Sequence, residues 1–399
     1  MKYRGIDGGD NMNEIFENTE HAFALKSDSE LERAYFLFRM IANEPLVRIG
    51  TAVTNFAIKV HLPVEGLIRS TVFDHFCGGI SEEDCLPVVE KMFSKGVCSV
   101  LDYSVEAKED EAQFDAALEK TLKILEFVKE KDSMPFAVFK PTGFGRFALY
   151  QKIGEGIDFT AEEQEEWDRV VERFERVCRK TQEMQVRLLI DAEESWMQKS
   201  ADALVERLMR KYNTQKPYIY STLQMYRWDR MEYLKDQHQK AKEGGYYLGY
   251  KLVRGAYLEK ENNRAEEMGY PTPICASKEE TDKNFDNAVR YIMDNVKEIS
   301  LFAGTHNEAS TQLVLRQMKE KQMEPHDQNI WFGQLYGMSD HISYNLSAHG
   351  YNVAKYLPFG PVRDVMPYLI RRAEENTSVV GQTNRELELI QRERIRRKF

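Results

Sequence analysis

Between residues 97 and 360 the chain switches repeatedly between two periodicities. Short runs rich in β-branched and aromatic residues come first: VCSVLDYSV (97–105), PFAVFKPT (135–142), VRLLIDAEE (186–194) and YIYSTLQMY (218–226). YYLGYKLVRGAY (246–257), SLFAGTH (300–306), NIWFGQLYG (329–337) and AKYLPFG (354–360) complete the set. Charged, amphipathic stretches at 109–131, 163–183, 196–213, 227–243, 280–298 and 307–322 separate them, with a shorter one at 339–350. Such alternation implies a parallel sheet, because parallel neighbours need crossover connections. Eight such units match a (βα)₈ barrel, for which about 250 residues is typical. An open doubly wound sheet that binds a dinucleotide carries G-x-G-x-x-G in its first turn. No such motif is present, and GFGRF (143–147) has two glycines and reads as the opening of a long loop. The expected fold class is therefore α/β, a TIM barrel.

Composition narrows the partners. The formal charge of −10 provides no broad positive field for nucleic acid. The basic stretch QRERIRRKF (391–399) is a local exception, read as a solvated helix end or a contact for an anionic surface. Five scattered cysteines without a C-x-x-C pair indicate neither a disulfide framework nor a zinc site. No stretch reads as a signal peptide or a membrane span. Residues 30–75 have helical spacing after start chemistry at Ser29, so 1–95 is expected to be a helical arm or cover. The barrel is then 96–378, and 379–399 a basic C-terminal tail.

Barrels of this class keep their chemistry at the C-terminal ends of the strands, and polar residues collect there. The first run ends with Asp102 and Glu106, the second with Lys140, the third with Asp191, Glu193 and Glu194, and the fourth with Gln224. Lys251, Arg254 and Tyr257 follow, then Thr305, His306 and Asn307, then Gln334 and Tyr336, then Tyr356. Individually these have plain readings. Lys140 before Pro141 is equally a loop lysine, one of Thr305, His306 and Asn307 would cap the next helix, and Glu193 and Glu194 suit a helix N-terminus. Asp191 differs, because it directly follows the apolar RLLI run. No His partner at metal-ligand spacing, no G-x-S-x-G elbow and no Cys/His pair appears. Cations, a few carboxylates and aromatic walls suit a small anion with an apolar body, such as an amino acid. The residues alone do not reveal the reaction.

Six motifs in register resemble the proline dehydrogenase family: LLIDAEE (188–194), TLQMY (222–226), KLVRGAY (251–257), THN (305–307), GQLYGM (333–338) and YLPFGPVRDVMPYLIRRAEEN (356–376). The resemblance implies a distorted barrel whose last helix lies over the strand ends, plus the N-terminal helical segment. It implies extended FAD and oxidation of L-proline to Δ1-pyrroline-5-carboxylate, with electrons passed to a membrane quinone. By motif position, Lys140, Arg371 and Arg372 would bind the proline carboxylate, and Tyr257, Leu335 and Tyr356 would wall the ring. Glu375 would hold the arginines, Asp191 would act beside the substrate, and Glu106 would gate the pocket by pairing with Arg371. Ala192, Gln224, Lys251, Val253, Arg254, Gly255, Ala256, Leu258, Thr305, His306, Asn307, Gln334 and Glu375 would line FAD, with Ser277 and Lys278 toward its phosphate or adenosine. Lys251 would favour the anionic reduced flavin.

Tyr356 stands where hydroxyproline-oxidising relatives have a smaller residue, so proline is the expected substrate; the alternatives are a related imino-acid (hydroxyproline) dehydrogenase and a non-catalytic amino-acid-binding barrel. KLVRGAY resembles the monofunctional branch, and the chain length leaves no room for an aldehyde-dehydrogenase module. The resemblance also implies transient peripheral membrane contact and a pyrroline-5-carboxylate dehydrogenase as a downstream partner. The expected location is the cytoplasm at the inner face of a bacterial membrane, or the matrix side in a mitochondrion. The adjacent arginines then make sense. Neighbours on a helix diverge by about 100°, so Arg372 would face the substrate and Arg371 the rim. Pro367 would kink the helix that carries them.

Overall fold

The computed structural model describes residues 14–43, 72–104, 109–378 and 382–399, with single helical positions at 45 and 66. Side chains from 372 to 383 lie outside the description. The eight runs form β1 Val97–Tyr103, β2 Phe136–Phe139, β3 Arg187–Ile190, β4 Ile219–Gln224, β5 Leu248–Val253, β6 Ile299–Gly304, β7 Ile330–Leu335 and β8 Val353–Phe359. They are hydrogen-bonded in chain order as a closed barrel, the fold expected from the alternation. Nearly every strand residue is buried. That is the burial two-sided packing demands, and it accounts for apolar runs in place of strict alternation.

The chain comprises two compact units, residues 107–332 and residues 1–106 with 333–399. In the first, β2 to β6 run parallel, with Phe136 opposite Arg187 and Thr222 opposite Lys251. The Phe136 ring meets Tyr220, Phe302 and Trp331 edge-on at 5.6, 5.2 and 5.1 Å. Phe136 opens its strand, so this aromatic packing fills the N-terminal end and leaves the opposite end for polar groups. The GFGRF segment is not a long loop. A 3₁₀ turn at Pro141–Gly143 leads into the helix Phe147–Glu155, and Tyr150 donates to the Pro141 carbonyl at 2.7 Å. The helix Leu258–Met268 fills part of the stretch between the fifth run and the amphipathic segment at 280–298.

In the second unit β1 pairs with β8 from Val97 opposite Val353 to Tyr103 opposite Phe359. The helix Asp28–Ile41 is capped by Ser27, not Ser29, because Glu30 reaches back to the Ser27 amide while Ser27 Oγ accepts from Glu30 N. The stretch read as a tail is the helix Gln382–Arg397, and Leu389 and Ile390 bury against Phe23, Leu31 and Phe38. Its arginines pair inward: Arg385 and Arg392 with Glu17, Arg394 with Glu32, and Arg397 with Asp28. The helix Val362–Ser378 runs through Pro367 and packs Val365, Met366 and Leu369 against Leu37, Ile41, Phe73 and Phe76.

Candidate functional site

In the unit of residues 107–332 the polar strand ends converge. Asp191 follows β3, and its amide donates to the Phe139 carbonyl at the end of β2 (3.0 Å). Lys251 in β5 donates to Asp191 Oδ1, and Lys140 Nζ stands 3.7 Å from Oδ2. The Lys251, Asp191 and Lys140 side chains are 8%, 14% and 24% exposed. One carboxylate thus faces two ammonium groups, a pair of cations suited to an anionic ligand. Coulombic attraction is strengthened by this partial burial.

The neighbouring groups form a second set of donors. Arg254 donates to Asp282 (2.6 Å), Thr305 Oγ1 (2.9 Å) and Ser310 Oγ (3.0 Å), and Lys278 donates to the same Asp282 (2.7 Å). Ser277 caps the helix Lys278–Asp294, and Asn307 caps the helix Glu308–Glu320. Of the three residues expected to supply a cap in THN, Asn307 therefore does so. Two helix N-termini with Lys251, Arg254 and Lys278 suit the phosphates and polyol of an extended cofactor. Gly255 has φ +137°, and a Cβ there would lie 2.5 Å from the Tyr226 ring. Only glycine fits this close approach beside Arg254. Gln224 ends β4 and is buried, Val253 ends β5, and Ala256 precedes Tyr257, which opens the helix Leu258–Met268. Leu258 is 50% exposed.

Glu193 and Glu194 do more than charge a helix end. Glu193 is buried and accepts from Thr142 N (2.9 Å) and Thr142 Oγ1 (2.7 Å). Burial pushes its carboxyl up to about 7. Glu194 precedes the helix Ser195–Tyr212 and pairs with Lys260 at 3.1 Å. The partner of Glu193 lies 51 residues earlier, and no local spacing points to it.

In the unit of residues 1–106 with 333–399, Gln334 accepts from Ser343 at 2.8 Å and Leu335 ends β7. The Tyr336 amide donates to the Tyr356 carbonyl (2.8 Å), and Tyr356 is buried in β8. Beside them lies a network that the strand-end survey missed. Lys355, wholly buried, donates to Asp340 Oδ1 at 2.8 Å and to the Met338 carbonyl at 2.6 Å. Lys26 pairs with Asp340 Oδ2 at 3.0 Å. These two cations hold the Asp340 carboxyl well below the usual range against the opposing effect of burial. The missed signal was a lysine inside the otherwise apolar VAKYLPF. His75 binds the Gly337 carbonyl at 3.1 Å, and burial lowers its pKa to about 3. Arg371 lies on the helix Val362–Ser378 and is partly exposed. The side chains of Arg372 and Glu375, and the whole of Glu106, lie outside the described residues.

Among the described residues, no helix is long and apolar enough to cross a membrane. A family model for proline dehydrogenase matches residues 85–385. The carbapenem antibiotics biosynthesis protein CarD of Pectobacterium carotovorum subsp. carotovorum is 36% identical over 333 residues, covering 84% of this chain and 86% of that protein. Mitochondrial proline dehydrogenase 1 of Homo sapiens is 39% identical over 242 residues, covering 60% of this chain and 40% of the relative. A solved proline utilization A (PutA) from Bdellovibrio bacteriovorus, inactivated by N-propargylglycine, aligns with TM-score 0.71 at 20% identity. That alignment covers 95% of this chain and 40% of the PutA chain, and it supports the barrel fold.

Proposed function

The chain belongs to the proline dehydrogenase family and is an oxidoreductase acting on proline, and from that premise we propose that it oxidises L-proline to Δ1-pyrroline-5-carboxylate with resident FAD and a membrane quinone as final acceptor. The observation that carries this reading is the Lys140–Asp191–Lys251 cluster at the strand ends. It joins an anion-binding charge to the one carboxylate the two lysines share.

In this reading the substrate carboxylate is taken by Lys140, Arg371 and Arg372, since guanidinium forks hold a carboxylate bidentately and fix its direction. Tyr257, Leu335 and Tyr356 wall the ring and exclude water. Asp191 holds Lys251 and Lys140 and borders the substrate amine, which must be neutral to give up a hydride from the adjacent carbon. Glu375 orients the arginines, and Glu106 closes over Arg371. Arg254, Ser277, Lys278 and the capped helix ends would hold the cofactor's phosphates, with Gln224, Thr305, His306, Asn307 and Gln334 along its length. The remaining lining falls to Ala192, Val253, Gly255, Ala256 and Leu258. The chemistry that FAD supplies when bound is acceptance of the hydride and its electron pair.

The proposal places 96–378 as the catalytic barrel and the N-terminal helices as its cover. It further assigns peripheral membrane contact on the side facing the quinone pool, and a pyrroline-5-carboxylate dehydrogenase downstream. The test is anaerobic mixing of purified protein with substrates. L-proline should bleach the flavin absorbance, and trans-4-hydroxy-L-proline should do so poorly because of the buried Tyr356. A colourless protein would remove the cofactor assignment, and equal bleaching by both would remove the substrate assignment.

A further inference from the structure

The turn that carries Lys140 is held by a group to which the functional reading gives no role. Pro141–Gly143 is a single 3₁₀ turn closed by Gly143 N to Lys140 O (2.9 Å) and Phe144 N to Pro141 O (3.0 Å). Turns this short have little stability of their own. Glu193 grips its middle residue with both carboxylate oxygens, accepting from Thr142 N and Thr142 Oγ1. Glu193 is in turn fixed from behind: its amide donates to Gln198 Oε1 (2.8 Å), and Gln198 Nε2 donates to Asp202 Oδ1 (2.7 Å). Asp202 Oδ2 accepts from Arg230 (2.7 Å), and Arg230 and Arg227 share Asp229 at 2.6 and 2.7 Å. Apart from Asp229 these side chains are almost wholly buried. The chain of contacts runs through the segments that follow β2, β3 and β4, and every link lies in one compact unit.

We propose that Glu193 is a positioning residue for substrate binding: by clamping Thr142 it keeps the Lys140 ammonium beside Asp191, where an anionic substrate group is received. The inference rests on the reading of Lys140 as a carboxylate ligand. A buried carboxylate is costly to keep, and both oxygens of this one are engaged by a single turn. Its two oxygens accept from the amide and the hydroxyl of one residue, so the clamp fixes both position and orientation of the turn. Lys140 has a long flexible side chain, and tethering the backbone at its base removes part of the entropy lost on binding.

The experiment compares Glu193→Ala, Glu193→Gln and Thr142→Val in the flavin-loaded protein. Loss of both clamp bonds should raise KM for L-proline about ten- to a hundredfold in Glu193→Ala, the effect of losing one charged hydrogen bond between Lys140 and the substrate carboxylate, with kcat nearly unchanged. Glu193→Gln keeps an acceptor for Thr142 N and should return KM close to that of the parent. Thr142→Val removes one of the two bonds, should give an intermediate KM, and serves if Glu193→Ala does not fold. Amide hydrogen exchange of residues 142–147, measured without substrate, should quicken in the order Gln, Val, Ala. An unchanged KM in Glu193→Ala, or a raised KM with unaltered exchange, would overturn the proposal. Since exchange needs no turnover, a parent protein inert to proline would sink the functional reading while the clamp is still tested.

Discussion

Replacing Lys355 by Met removes a cation that is wholly buried yet holds two separate groups. Its Nζ bonds Asp340 Oδ1 (2.8 Å) and the Met338 carbonyl (2.6 Å), and its side chain is 0% exposed. Methionine fills nearly the same volume, so the packing cost is small. What remains is Asp340, 10% exposed, with Lys26 at 3.0 Å, and a carbonyl that has lost a charged donor. Breaking a buried pair by deleting one partner costs about 3–5 kcal/mol. With Lys26 still in place, the lower end, about 3 kcal/mol, is expected. Equilibrium urea unfolding of parent and variant at neutral pH reads this as a drop in midpoint at unchanged slope. Adding Asp340→Asn to Lys355→Met should recover part of the loss, because the stranded charge is then gone. A single-variant cost under about 1 kcal/mol would refute the argument, as would a double variant as destabilised as the sum of the singles. The deficit of the same variant is greatest at neutral pH and shrinks on acidification. The Asp340 carboxyl is held low in the folded protein, so its contribution is present above the ordinary carboxylate value and lost as pH falls below it.

Three other outcomes follow from the site. Asp191→Asn leaves Lys140 and Lys251 without their shared carboxylate and should lower kcat/KM for proline by about 10²-fold; bound flavin is measured separately, and an unchanged kcat/KM removes Asp191 from the machinery. Burial raises Glu193 from its ordinary 4.5 to about 7, so the stability that its protonated form contributes is complete below the ordinary value and is lost as pH rises through about 7. That loss is about 3 kcal/mol, against neighbours Lys140, Glu194 and Tyr150. Glu193→Gln should therefore show a flatter stability profile from about pH 5 to pH 8, and a profile identical to the parent would contradict the assignment. Gly255→Ala forces a Cβ to 2.5 Å from the Tyr226 ring at φ +137° and should cost about 1–3 kcal/mol with reduced flavin content; full flavin loading at parental stability would show that the turn tolerates a side chain.

Much of this protein was legible from order and period alone. All eight strands lie where short apolar runs end in polar residues, since a strand buried on both faces must be apolar and its ends alone are free to carry charge. Asp191, Lys251 and Lys140 were legible for the same reason. Tertiary structure alone decided which ionised groups meet. Thr142 finds Glu193 51 residues away, and Lys26 finds Asp340 across most of the chain. Arginines that read as a basic tail are neutralised by Glu17, Asp28 and Glu32. Periodicity records how the backbone repeats over a few residues. The partner of a buried charge depends on which distant loops the closed sheet brings within hydrogen-bond reach, and no local pattern encodes that.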